Sequence, residues 1–321
     1  MRYVIYGAGA VGGVIGGRLF QAGHDVVLIA RGAHLDAIRR DGLRFESPSG
    51  DETLAIAAAG QPSEVDFRDG DVVILAMKAQ DTSDALDALR ASAGDAIPVF
   101  CAQNGVANER MALRRFANVY GVMVMLPATH LEPGVVQANA SNKTGILEIG
   151  RYPEGVDDLA RAVAAEVTSA DFSSNAVERV MRWKYAKLLG NLNNSVQAAC
   201  GPGSDIADIT ARLRDEALAC YQAAGIDCAT ADEMRARRSD TVRFDPSAGP
   251  QRQGGSSWQS LARGAGSIET DYLNGEIALL GRLHGVPTPA NAAMQRIAER
   301  LVREGAAPAS LTPETVRAEM G

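Results

Sequence analysis

The sequence predicts an α/β domain built on a parallel sheet, followed by an all-α helical domain. Three observations predict it. In the first half, short apolar runs at 3–6, 25–30, 72–76, 97–101 and 119–123 alternate with helix-like stretches such as 11–22 and 82–93. That is the pattern of strands covered on both faces by crossover helices. A glycine-rich turn joins the first run to the first helix-like stretch. From about Glu178 onward the strand-like runs stop, and helical stretches follow at 178–200, 205–225, 257–284 and 289–304. Pro202, Pro246, Pro250, Pro287 and Pro289 punctuate them, as helix boundaries should.

The predicted division is 1–170 and 171–321, with the boundary inside 165–178. A chain of 321 residues suits two domains of ordinary size. Two more short strands are expected near 43–45 and 53–57, and a β-rich segment at 135–149 closes the first domain. The stretch 244–255 reads as a flexible insert.

Composition narrows the function. Hydrophobic residues at 46% and charged residues at 22% exclude a disordered chain, a collagen-like fibre and a disulfide mini-protein. Lys plus Arg is 32 against 39 Asp plus Glu, a net charge of −7. Nucleic-acid affinity depends on cations that neutralise phosphates, so no nucleic-acid partner is expected. Cys101, Cys200, Cys220 and Cys228 form no CxxC pair and no metal cluster; they read as reduced, apolar side chains, with no metal and no catalytic thiol. The first 17 residues are apolar but carry six glycines and stop at Arg18. A membrane span needs about 20 apolar residues, so no membrane partner is expected and the predicted location is cytoplasmic.

The run Tyr3-Val4-Ile5-Tyr6-Gly7-Ala8-Gly9-Ala10-Val11-Gly12 contains GxGxxG after a strand and before a helix, the context that gives this motif meaning. Gly7 permits the tight turn, Gly9 lets the backbone approach a pyrophosphate, and Gly12 lets the helix pack on the strand. Ala8, Ala10 and Val11 complete the loop, and the helix N-terminus offers N–H groups to the phosphates. This is a Rossmann-type dinucleotide site. The second strand ends at Arg31, where an NAD-selective site usually carries Asp or Glu. Arg31 accepts no hydrogen bond but pairs well with a 2′-phosphate, so NADPH is the expected cofactor. His34 reads as a helix-surface histidine.

The sequence here resembles the ketopantoate reductase family (2-dehydropantoate 2-reductase), over essentially its whole length. The markers are the glycine loop with Arg31, Lys78 in Leu75-Ala76-Met77-Lys78, Gln103-Asn104-Gly105, and Lys187 followed four residues later by Asn191. Ser256-Ser257 and the run Glu269-Thr270-Asp271-Tyr272-Leu273-Asn274-Gly275 complete the set. The resemblance implies a Rossmann domain, a helical domain and an active site in the cleft between them. It implies that Lys187 is the catalytic acid and that Glu269 positions cofactor and substrate groups. Asn191 and Ser257 match substrate-binding positions. Lys78 and Asn104 match residues on the nicotinamide side, Asn104 also meeting substrate. The implied substrate is a small 2-oxo acid, and the family occurs as monomers and homodimers.

The residues support these roles physically. Hydride addition to a ketone builds negative charge on oxygen, and a lysine, with an ordinary pKa of about 10.4, supplies both a cationic donor and a proton. At helical spacing Lys187, Asn191 and Asn194 share one stripe, beside an apolar stripe of Leu188, Leu192, Val196 and Ala199. Lys78 and Asn104 follow strand ends, where open parallel sheets bind ligands. Asn104-Gly105 reads equally as an ordinary turn, Ser256 and Ser257 as helix caps, and Trp258 as core. The chain also departs from the family pattern. The position eight after the lysine, asparagine in many members, is Ser195; Asn194 sits one residue earlier, about 100° away on a helix. Trp258 stands where methionine is usual. Asn194 and Ser195 are both kept as candidate substrate contacts. The expectation is an NADPH-dependent reductase, with ketopantoate first. A different carbonyl, hydroxy acid or imine substrate, and a non-catalytic NADPH sensor, stand as alternatives.

Overall fold

A computed structural model describes residues 1–239, 241, 255–264 and 266–321. The predicted insert 244–255 falls, except for Gly255, outside the described residues. The chain divides into two compact units, Met1–Lys184 with Thr230–Gln251, and Tyr185–Ala229 with Arg252–Gly321.

The first unit runs β1 (Arg2–Tyr6), α1 (Ala10–Gln21), β2 (Asp25–Ile29), α2 (Gly32–Asp41), β3 (Leu43–Ser47), β4 (Gly50–Leu54), β5 (Ala57–Ala59), β6 (Asp71–Leu75), α3 (Thr82–Ala93) and β7 (Val99–Cys101). It continues through α4 (Asn108–Leu113), β8 (Val119–Met125), β9 (Ala128–Thr129), β10 (Val135–Ala138), β11 (Gly145–Arg151), α5 (Asp158–Ser169) and β12 (Phe172–Ala176). The main sheet has the order β12-β11-β8-β7-β6-β1-β2-β5. Six strands, β5 to β8 in that order, are parallel as predicted. The last pair departs from the prediction, because β11 runs antiparallel to β8 and β12 parallels β11.

Strand alternation sorts the core into two layers. Tyr3, Ile5, Leu28, Phe100 and Tyr120 face α1 and α5. Val4, Val73, Leu75, Val99 and Cys101 face α3 and α4. The strand expected near 43–45 does not join this sheet, and the one expected near 53–57 is divided between β4 and β5, of which β5 alone joins it. β3 and β4 form a hairpin in a second sheet, order β4-β3-β10-β9, with β10 from the predicted β-rich segment parallel to β3.

Helix α1 is held between the two sheets, and its glycines show how. A Cβ on Gly12 would lie 2.2 Å from the Gly7 carbonyl and 3.0 Å from Ile5, and one on Gly16 would lie 2.7 Å from Leu28. These two face the main sheet. A Cβ on Gly13 would meet Val136 at 2.6 Å, and one on Gly17 would meet the Phe45 ring at 2.5 Å, so these two face the second sheet. The i, i+4 repeat of each pair puts its members on one face. Sequence reading assigned a packing role to Gly12 alone; the structure extends it to all four.

Helix α6 (Val180–Asn191) carries the chain across the division between units. The predicted helix 178–200 is interrupted, since α7 (Asn193–Cys200) starts afresh after Leu192. The Leu192 carbonyl accepts from Asn274 Nδ2 at 3.3 Å, a side-chain donor that competes with the helical ladder. After α8 (Ala207–Ala224) the chain forms α9 (Ala231–Arg238), grouped with the first unit. There Arg182 holds Glu233 through two 2.8 Å bonds, and Arg237 pairs with the buried Glu148. The predicted helix 257–284 also breaks, into α10 (Ser256–Ala262), a 3-10 turn at Glu269–Tyr272, and α11 (Asn274–His284). Gly264 and Gly266, at φ +60° and +67°, end the first piece. Helices α12 (Pro289–Arg303) and α13 (Pro313–Met320) follow. Among the described residues no helix is long and apolar enough to cross a membrane.

Gly12→Ala gains about 1 kcal/mol of helix propensity but forces a methyl group onto the Gly7 carbonyl. We expect a net loss of about 1–3 kcal/mol in urea unfolding; an unchanged or higher midpoint would refute the packing account of α1.

Candidate functional site

In the first unit four strand ends carry the predicted cofactor residues. The glycine loop leaves β1 and is pinned to β2, with the Gly7 and Ala8 N–H groups both donating to the Ile29 carbonyl at 3.0 and 3.1 Å. Gly7 has φ +100°, and a Cβ there would lie 2.5 Å from the Met77 nitrogen, so the loop rests on the segment leading to Lys78. Gly9 differs. Its φ is −72° and a Cβ there would meet nothing within 4 Å. Neither packing nor backbone conformation requires glycine at this position. Gly9 also leaves the start of α1 without a side-chain cap, and α1 has no acidic residue in its first turn. A helix N-terminus of that kind suits an anion such as a pyrophosphate. Ala10 and Val11 lie in its first turn, and Arg31, exposed, follows β2.

Lys78 and Asn104, both half-buried, follow β6 and β7. A hydrogen-bond chain ties their loops together. The Gln103 amide nitrogen donates to the Met77 carbonyl at 3.0 Å and to Thr82 Oγ1 at 2.7 Å. The Thr82 hydroxyl donates to Asn108 Oδ1 at 2.9 Å, and Asn108 Nδ2 donates to the Asn104 carbonyl at 3.1 Å. Beneath them lies a buried ion pair of Lys184 and Glu109, whose side chains are 2% and 0% exposed. Lys184 Nζ also donates to the carbonyls of Gln103, at 2.9 Å, and Cys101, at 3.3 Å. Lys184 therefore grips the chain on both sides of Ala102, just before Asn104. Sequence reading missed Lys184 and Glu109; no periodicity marks a charge that is buried by a distant partner.

His34 is likewise more than a surface residue. Its Nε2 lies 2.7 Å from the Ala8 carbonyl, and its Nδ1 accepts from the Gly134 N–H at 2.8 Å. The two bonds fix the neutral imidazole with the proton on Nε2. The ring packs against His130, 4.2 Å between centroids.

In the second unit Lys187 Nζ donates to Asn191 Oδ1 at 2.8 Å, and Asn191 is buried. Leu188, Leu192, Val196 and Ala199 are all buried, as the stripe pattern predicts. Asn194 Nδ2 donates to Ser256 Oγ at 3.3 Å, bringing α7 to the start of α10. Gly255 takes the cap position of α10, so Ser256 and Ser257 lie in its first turn rather than capping it, and Ser257 is buried. Ser195 is placed differently from Lys187 and Asn191. Its hydroxyl donates to Asn274 Oδ1 at 2.6 Å; Asn274 Nδ2 then donates to Asn291 Oδ1 at 3.1 Å, and Asn291 Nδ2 to Glu216 at 2.8 Å. Glu216 in turn accepts from the Ala290 and Asn291 N–H groups that open α12. Glu269, 8% exposed, lies in the 3-10 turn ahead of α11 rather than in a continuous helix.

Two outcomes follow. Lys184→Met leaves Glu109 buried and uncompensated, which should cost about 3–5 kcal/mol, while Lys184→Met with Glu109→Gln should recover most of it; equal losses in chemical unfolding would contradict the pairing. Burial is the main cause that pushes His34 below its ordinary value near 6.5, with the Ala8 bond acting the other way. Its neutral form stabilises the fold above about pH 6.5, and that contribution is lost as pH falls through the lowered value, because a proton on Nδ1 would face the Gly134 N–H. The Tm difference between the wild type and His34→Gln should shrink from pH 8 to pH 5; a constant difference would refute this.

Comparison with known proteins fits this geometry. Residues 3–154 match the family model described as ketopantoate reductase PanE/ApbA, and residues 179–302 match the model for its C-terminal part. A 2-dehydropantoate 2-reductase from Mesorhizobium japonicum is 30% identical, over 95% of this chain and 98% of its own. One from Pyrococcus horikoshii is 32% identical over 60% of this chain, the match spanning 61% of that relative's length. The crystal structure of a PanE/ApbA family ketopantoate reductase from Ralstonia eutropha JMP134 superposes with a TM-score of 0.80 at 29% identity, covering 95% of this chain and 99% of the other. The chain belongs to the ketopantoate reductase family.

Proposed function

We propose that this chain is an NADPH-dependent reductase that converts a 2-oxo acid, first of all 2-dehydropantoate, to the 2-hydroxy acid. The observation that carries the reading is the Lys187 ammonium held by the Asn191 amide oxygen at 2.8 Å, in a chain of this family. NADPH, when bound, supplies the hydride. The residues present fit it. The open side of Gly9 and the uncapped start of α1 would receive the pyrophosphate. Arg31 would hold the 2′-phosphate, and Lys78 and Asn104 would line the nicotinamide side.

Lys187 then donates a hydrogen bond to the ketone oxygen and gives up its proton as charge develops there. Asn191 fixes the Nζ position, so the donor needs no reorganisation during the reaction. Glu269 positions hydroxyl groups of cofactor and substrate. Asn194 and Ser257, at the junction of α7 and α10, would meet the carboxylate end of the substrate. Ser195 has its hydroxyl engaged by Asn274, and that favours a second reading in which the chemistry is the same but the preferred substrate is a different carbonyl compound.

Lys187→Ala should lower kcat by about 10²- to 10⁴-fold while the Kd for NADPH stays within about twofold. The assay follows loss of NADPH absorbance across a panel of 2-oxo acids and imines. Undiminished turnover by the variant would remove Lys187 as the acid. A kcat/KM for 2-dehydropantoate below that of another panel member would select the second reading, and tight NADPH binding with no turnover at all would leave a sensor.

A further inference from the structure

Arg31 has a partner at the strand ends. Its Nη2 donates to Asp81 Oδ2 at 2.7 Å. Arg31 follows β2, and Asp81 closes the short 3-10 turn Ala79–Asp81 after β6; β1 lies between these two strands. Tyr6, the last residue of β1, is within the field of both charges. The pair thus spans three adjacent strand ends around the base of the glycine loop.

Asp81 immediately precedes α3, where an aspartate ordinarily caps the helix. It makes no side-chain cap there. Its carboxylate reaches instead to an arginine 50 residues away in sequence. Both side chains are open to water, 81% and 36% exposed. Exposed pairs of this kind add little to stability, so a ligand of suitable charge can open this one easily.

We propose that Asp81 is a specificity-determining residue that sets the choice between NADPH and NADH. The proposal rests on the pyridine-nucleotide reading given above. Arg31 uses one of its five N–H donors on Asp81, so a 2′-phosphate either shares the guanidinium with Asp81 or displaces it. The carboxylate then faces the phosphate with like charge, which weakens NADPH binding. A ribose without the phosphate brings two hydroxyl donors, and Asp81 supplies the acceptor that the end of β2 lacks. The carboxylate usual in an NAD-selective site is present here too, displaced from β2 to the loop after β6. A site built this way discriminates less than Arg31 alone implies.

The test is Asp81→Asn, which keeps size and removes charge, with Asp81→Glu as the charge-keeping control. Kd for NADPH and NADH is measured by fluorescence titration of the full chain at two salt concentrations, with Tm as a folding check. Asp81→Asn should tighten NADPH by about threefold to tenfold and weaken NADH, with a smaller effect at high salt. Asp81→Glu should stay near the wild type. A ratio of the two Kd values unchanged within twofold, or both constants moving together, would overturn the proposal. A wild-type chain that binds neither dinucleotide would overturn the cofactor reading itself, a result visible before any variant is made.

Discussion

The close approach of α1 to two sheets at once is the constraint on which the first unit depends. Four glycines bring the helix down on Ile5 and Leu28 on one side and on Val136 and Phe45 on the other. A helix buried on both sides cannot tilt, so its N-terminus has one position above the β1 end. The glycine loop is then short, fully specified and pinned to Ile29. Gly9 is the one member of the GxGxxG motif that this packing leaves unexplained. The contrast separates architecture from ligand binding within a single motif.

Buried charge does comparable work further along the sheet. Burying Lys184 and Glu109 together is costly, and a well-packed apolar pair would often be no less stable. What the ion pair adds is direction. A lysine ammonium has three donors, and here they meet one carboxylate and two backbone carbonyls around the turn that leads to Asn104. An apolar side chain could fill the space but could not fix those carbonyls. Lys184 lies three residues before Lys187 on the same continuous helix, α6.

Much of this was legible from sequence, for identifiable reasons. Central strands such as β1 and β6 are buried on both faces and read as apolar runs. Helix α3 begins and ends as its periodicity predicts. Local chemistry was also readable where it was missed. Asp157 caps α5, and Thr230 with Glu233 forms a reciprocal capping box for α9. Other features were hidden because their causes are distant in sequence. The Lys184–Glu109 pair spans 75 residues and His34 meets Gly134 across 100. The second sheet joins β3 to β10, strands too short to announce a partner. At the helix break the Leu192 carbonyl is met by Asn274, 82 residues on.

The buried polar chain from Ser195 to Glu216 gives the serine departure a physical meaning. Asn274 and Asn291 are fully buried, so each of their polar atoms needs a partner. Ser195 completes that set at 2.6 Å, and the set joins α7, α8, α11 and α12 by side chains rather than by shape alone. A hydrophobic contact tolerates sliding; a hydrogen-bonded amide does not. A longer asparagine side chain at this position would extend past the distance at which the serine hydroxyl meets Asn274. It would have to displace Asn274 or turn elsewhere, and either move leaves a buried amide short of a partner. The serine is thus matched to its neighbours, and on the proposed reading the helical unit recognises substrate through Asn191, Asn194 and Ser257, with Ser195 holding the helices that present them.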